Sequence, residues 1–176
     1  MANKQALRDL QARLAERMQQ VRTETPGVSW LAVECAGQGL LLPLAQAGEI
    51  FDLPAVLPVP HTRPWLAGVV NLRGAVVTVV DLAQFLGLRA ADDSSPRDQA
   101  RLVAFNARQG LNGAVLVDRL QGLRHAADMQ RDDDNADNAN RPAFAGGRWR
   151  DAAGRVWQEI SLAALAVAPE FLAIVL

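Results

Sequence analysis

At 176 residues, half of them hydrophobic and 21% charged, the chain has globular composition and room for one domain of ordinary size with a sizeable core. A formal net charge of -1 lacks the electrostatic footprint of a general nucleic-acid binder. The one cysteine, Cys35, excludes an intrachain disulfide and a cysteine-based metal cluster, and fits a reducing compartment.

The first residues, M-A-N-K-Q-A-L-R-D-L, carry charges every few positions and no apolar run, which is not a signal peptide. No segment reaches the roughly 18 apolar residues of a membrane span, so the expectation is a soluble, cytoplasmic protein. Leu7, Leu10, Leu14, Met18 and Val21 recur at spacings of three and four and predict a helix over residues 3–22. The stripe either packs on the domain or offers a seam to a partner helix. Thr25-Pro26-Gly27 ends the pattern, because proline disfavours helical geometry in the residue before it. This divides the chain into a helical extension, 1–26, and a domain, 27–176.

Beyond Gly27 short apolar runs alternate with turn residues. Strands are predicted over 29–34 and 39–44 around A-G-Q-G, 69–70 and 75–80 around N-L-R-G, and 101–107 and 114–120 around R-Q-G-L-N-G. A fourth pair, 148–150 and 155–160, flanks D-A-A-G. Such close spacing argues for antiparallel barrels or sandwiches and against a doubly wound parallel sheet. Two short helices interrupt the strands. One follows Asp81 as cap and ends at Gly87; the other begins at Ser161 and stops before Pro169. Residues 90–99 and 128–141 read as surface loops.

The chemistry-bearing residues fail as catalytic sets. In the acidic loop, placing Asp133, Asn135 and Asp137 at calcium-loop positions one, three and five puts Asn138 where glycine is required and Phe144 where glutamate is required. His61 and His125 belong to no metal-spacing motif. Ser94 and Ser95 lack a nucleophile context, and Cys35 in L-A-V-E-C-A reads as a small core residue. No phosphate-binding glycine motif is present. No enzyme, metal or cofactor is expected.

N-L-R-G between two valine runs reads as a tight reversal, with Asn71 and Gly74 supplying backbone freedom. Arg73 is left over. Beside so apolar a segment it must reach solvent or an acceptor, and Glu49 is the candidate upstream.

The run E-I at Glu49 and Ile50, a proline-bounded connector, and W-L-A-G-V-V-N-L-R-G-A-V-V-T-V-V-D-L with L-G-L closing at Leu88 resemble the CheW-like domain, the adaptor domain of bacterial chemosensory arrays. R-L-V-A-F followed by L-N-G-A-V-L-V-D-R-L is similar to the family's strand, glycine, strand and aspartate pattern, and the resemblance covers roughly residues 28–167. It implies a mainly β fold of two small five-stranded barrels, Src-homology-3-like, sharing a hydrophobic interface. It implies a non-catalytic role, joining the cytoplasmic tip of a methyl-accepting chemoreceptor to the regulatory domain of a CheA-type histidine kinase at membrane receptor arrays. By the same resemblance Glu49 and Arg73 lie near a receptor-binding groove between the barrels, with Gly68 and Asn71 beside them. Leu116, Arg119 and Leu120, which follow the family's second glycine, Gly113, complete that groove.

The helical extension, Trp65 before the G-V-V-N-L-R-G run, and the terminal W-Q-E-I-S-L-A-A-L-A-V-A-P-E-F-L with Trp157 and Phe171 look like the PilI type, which serves systems controlling type IV pili and twitching. Ala67 stands where flagellar members are often basic. A flagellar chemotaxis adaptor is the alternative within the family; a small-ligand-binding or enzymatic barrel is the alternative outside it.

Overall fold

The computed structural model describes residues 27–91, 93, 97–132 and 141–176. The predicted helix over 3–22 and the acidic run 133–140 lie outside the described residues. Among the described residues eleven strands form two sheets. The first sheet holds β1 (Ser29–Cys35), β2 (Gln38–Pro43), β8 (Arg119–His125), β9 (Gln130–Arg131), β10 (Ala145–Arg150) and β11 (Val156–Ile160), in the order β8-β1-β2-β11-β10-β9. The second holds β3 (Ala47–Asp52), β4 (Leu66–Leu72), β5 (Ala75–Asp81), β6 (Arg101–Phe105) and β7 (Gly113–Val117), in the order β3-β6-β7-β5-β4. The chain leaves the first sheet after β2, builds the whole second sheet, and returns at Asp118.

The mainly β, two-subdomain expectation holds, with differences of detail. One sheet has six strands, because two-residue β9 adds to the edge of β10, and each strand order is open at both ends. Two of the pairings, β2 with β11 and β5 with β7, are parallel. Both join strands far apart in sequence, and a parallel pair needs a long crossover connection that local patterning does not display. The predicted run over 114–120 breaks at Asp118, where the chain passes between sheets. β3 carries a register shift between Ala47 and Ile50 and is mostly exposed, so it lacks the apolar alternation that marks a strand.

Three short helices follow capping chemistry. Asp81 Oδ1 accepts from Gln84 N at 3.2 Å to start α1 (Leu82–Phe85), and Gly87 at φ 70° follows its end. Ser161 Oγ accepts from Ala164 N at 3.2 Å to start α2 (Leu162–Leu165). Pro169 opens α3 (Pro169–Leu172), using proline's preset φ at the first helical position.

The central strands are buried on both faces, and the period of two sorts their residues between cores. In β1, Trp30 and Ala32 join Leu41, Met129 and Trp157 inside the first subdomain, while Leu31, Val33 and Cys35 face the second sheet. In β7, Ala114 and Leu116 join Val70, Val79 and Leu102 inside the second subdomain, while Val115 and Val117 face the first sheet. The facing sets meet in one shared core, closed by Leu82, Phe144, Ile160, Leu165 and Phe171. Each fully buried Val, Leu or Phe contributes about 1.5–3 kcal/mol, so the shared core is the largest stabilising block.

Val115→Ala is therefore expected to lower stability by roughly 2 kcal/mol and to unfold both subdomains together. Urea titration followed by tryptophan emission, to which Trp30, Trp149 and Trp157 of the other subdomain contribute together with Trp65 at the shared core, should give one transition at a lower midpoint, coincident with circular dichroism. Two separated transitions would show that the subdomains fold apart.

Candidate functional site

The β4–β5 turn presents Arg73. Leu72 faces Ala75 in the ladder, so Arg73 and Gly74 are the two central residues, with φ of 53° and 87°. Positive φ at both positions is what a two-residue hairpin of the primed type requires. The sequence expectation assigned the backbone freedom to Asn71 and Gly74. Asn71 instead lies within β4, opposite Val76, and its Oδ1 accepts from Gly74 N at 2.8 Å to brace the turn.

Across the open side of the second sheet, Glu49 is exposed on β3, within the register shift between Ala47 and Ile50. Arg73 Nη2 donates to Glu49 Oε1, and the guanidinium lies 5.8 Å from the Phe51 ring centre. The expected pair thus exists, and it links edge strand β3 to the turn after edge strand β4. Both side chains remain solvated, at 74% and 45% exposure, so the pair contributes about 0–1 kcal/mol to stability. A cavity of about 400 Å³ between β3 and the β6–β7 loop opens beside Glu49 and Phe51.

The other predicted site residues fall elsewhere. Gly68, at φ 142°, lies where a Cβ would sit 2.2 Å from Leu57 O. Leu57 and Val69 exchange backbone hydrogen bonds of 2.9 and 2.8 Å, so Gly68 lets the proline-bounded connector lie along β4. Leu116 is 4% exposed inside the second subdomain, and burial removes it from any direct contact surface. Leu120 packs against the shared core. Arg119 is exposed on β8 and lines a cavity of about 330 Å³ with Glu34, Arg89 and Asp118. The structure brings Glu49, Asn71 and Arg73 together; Arg119 and Leu120 belong to the other sheet.

A charged cluster at the join of the subdomains was missed in the sequence. Asp81 and Asp118 each close a valine-rich strand, β5 and β7. Asp118 Oδ2 accepts from Arg89 Nη2 and, at 2.7 Å, from Ala36 N in the β1–β2 turn. Asp81 meets Arg97 at 2.6 Å and Arg89 at 3.7 Å, and Arg89 also reaches Asp93 at 3.5 Å. The hydrogen bond that Arg89 donates to Asp118 pushes the Arg89 pKa up, against the downward pull of burial. The signal in the sequence was the repeated V-V-D and L-V-D, an acid ending each apolar run.

Cys35 is fully buried in the shared core, and desolvation, with Asp118 nearby, pushes its thiol from the ordinary 9.0 to about 12. It is a packing residue with no accessible thiolate.

Two outcomes test this anatomy. Gly68→Ala should cost about 2 kcal/mol or more, because the side chain meets backbone and the φ is strained, and urea denaturation measures it. Native protein at pH 8 should resist maleimide labelling at Cys35 and react fully in denaturant. The raised thiol pKa also makes its contribution to stability complete below pH 9.0 and progressively lost toward about pH 12.

Protein PilI of Pseudomonas aeruginosa is 27% identical over 99 residues, spanning 55% of this chain and 53% of that protein. Chemotaxis protein CheW of Thermotoga maritima is 28% identical over 102 residues, 58% of this chain and 64% of that one. The matches thus span roughly half to two thirds of these relatives. The crystal structure of scaffolding protein TtCheW from Thermoanaerobacter tengcongensis superposes with a TM-score of 0.63 at 16% identity, covering 77% of this chain and 90% of that one, which shows the shared fold. The CheW-like domain family matches residues 29–170, including both sheets and the Glu49–Arg73 pair, and the chain belongs to that family.

Proposed function

We propose that the chain is a non-catalytic adaptor that couples the cytoplasmic tip of a methyl-accepting chemoreceptor to a CheA-type histidine kinase, in a chemosensory system controlling type IV pili. The observation that supports a contact role most directly is the setting of Arg73. A non-glycine residue in the left-handed region costs roughly 1–2 kcal/mol, more than the solvated ion pair with Glu49 returns. Asparagine suits the position better in a hairpin of this type. Stability alone therefore does not account for arginine there, and an exposed guanidinium held by Glu49 and Phe51 is pre-organised to meet a partner. Glu49, Asn71 and Arg73 form the receptor-facing patch in this reading; Gly68 acts through the connector, and Arg119 and Leu120 contribute from the neighbouring sheet.

The mechanism is geometric. The shared core fixes the two subdomains to each other, so partners held on different surfaces are held in a defined relation, and a small shift in one is passed to the other. The pilus assignment rests on the similarity to Protein PilI. Trp65, Trp157 and Phe171 support it less, because each packs in a core that any member of this fold must fill. Placement at membrane arrays follows from receptor binding. Among the described residues no helix is long and apolar enough to cross a membrane.

Arg73→Glu should weaken receptor binding about tenfold or more with an unchanged urea midpoint. Glu49→Arg added to it should restore part of the affinity, measured by co-purification and titration against a receptor fragment. Unchanged affinity in Arg73→Glu would remove the patch from the contact.

A further inference from the structure

A groove of about 950 Å³ runs between the subdomains, apart from the Glu49–Arg73 patch. Its apolar lining has Leu40 and Ile160 of the first sheet on one wall and, on the other, Trp65 just before β4 with Phe85 and Leu86 at the end of α1, Phe144 lying between them. Trp65, Phe85 and Phe171 contact one another at 5.1–6.2 Å between ring centres, so the aromatic wall is packed from behind. Arg148 stands on the β10 side of the lining. Its Nε donates to Gln158 Oε1 at 3.3 Å, and Gln158 Nε2 donates in turn to Gly146 O at 2.8 Å. The two terminal nitrogens of Arg148 have no hydrogen-bond partner or carboxylate among the described residues. Arg73, Arg89, Arg97, Arg101, Arg150 and Arg155 each meet a carboxylate.

We propose that this groove is a binding site for an apolar carboxylate of the medium-chain fatty acid class, with the carboxylate on the Arg148 fork and the chain over Trp65, Phe85 and Leu86. A guanidinium pinned through Nε presents its paired terminal N–H groups in the planar geometry that matches a carboxylate. The volume suits a small ligand, and the composition, an apolar wall with a few convergent polar groups, is that of a ligand site. Arg63, in the connector before β4, and the acid on the lining, Glu170 of α3, also face the groove, and Arg63 N donates to Ile174 O at 2.8 Å. Their opposite charges leave Arg148 as the anion-selective element. The proposal is independent of the adaptor reading, since it uses none of the residues assigned to partner contact.

Calorimetric titration of the full chain with dodecanoate below its micelle concentration, and with dodecyltrimethylammonium as the cation of equal chain length, tests the site. Saturable one-to-one binding of the carboxylate and none of the cation is expected. Arg148→Met keeps the apolar stem and removes the fork; Val156→Glu sets a carboxylate on an exposed lining residue of β11. Each should weaken dodecanoate binding at least about tenfold, and Val156→Glu carries the test if Arg148→Met does not fold. Absence of saturable binding, equal affinity for the cation, or unchanged affinity in the folded variants would overturn the assignment. A loss of receptor binding in Arg73→Glu with dodecanoate binding intact would show the two sites to be separate.

Discussion

The structure depends on strands that are buried on both faces. β1, β2, β5, β6 and β7 each place alternate residues in a subdomain's own core and in the shared one, so neither sheet can be assembled or shifted alone. A one-residue slip in β7 would exchange Ala114 and Leu116 with Val115 and Val117 and spoil two cores at once. This fixes register strongly. It also leaves function to the strand ends, turns and connectors, because the strand faces are used up by packing.

Charge is placed accordingly. Asp81 and Asp118 stand where two valine-rich strands end, and the arginines that meet them come from the segment after α1. Asp118 binds Arg89 from one subdomain and Ala36 N from the other, a polar tie at the rim of an apolar interface. Removing Arg89 alone would leave carboxylates with little solvent access, which costs far more than the pair contributes when whole. The tie therefore specifies how the subdomains meet more than it adds to their stability. The inter-subdomain groove runs between Leu86 and Leu88, just before Arg89, and Gln38, just after the turn that holds Ala36.

Local patterns were legible where neighbours in sequence are neighbours in space. The hairpins around A-G-Q-G, N-L-R-G and D-A-A-G, the aspartate and serine helix caps, and the Glu49–Arg73 pair all follow from short-range chemistry or from one charge needing another. The parallel pairings of β2 with β11 and β5 with β7 were not legible, since nothing local records them. Leu116 illustrates a different failure. The family resemblance placed it in a site, but the strand's period of two turns it inward between Val115 and Val117. The break at Asp118 hides for a related reason: L-V-D-R-L reads as one run until the structure shows the chain leaving one sheet for the other.

The turn at residues 72–75 shows how the same physics separates scaffold from site. Gly74 and the Asn71 side chain meet the needs of a primed turn, and a second small or asparagine residue would complete it at lower cost. Arginine occupies that position instead, strained, exposed, and steadied by an acid from the opposite edge of the sheet. Glu49 lies within the register shift of β3 between Ala47 and Ile50. Two local departures from ideal sheet geometry, on strands at opposite edges, thus serve one pair that adds little to folding. Strained residues cluster at functional sites, and this strain is what supports the contact role proposed for Arg73.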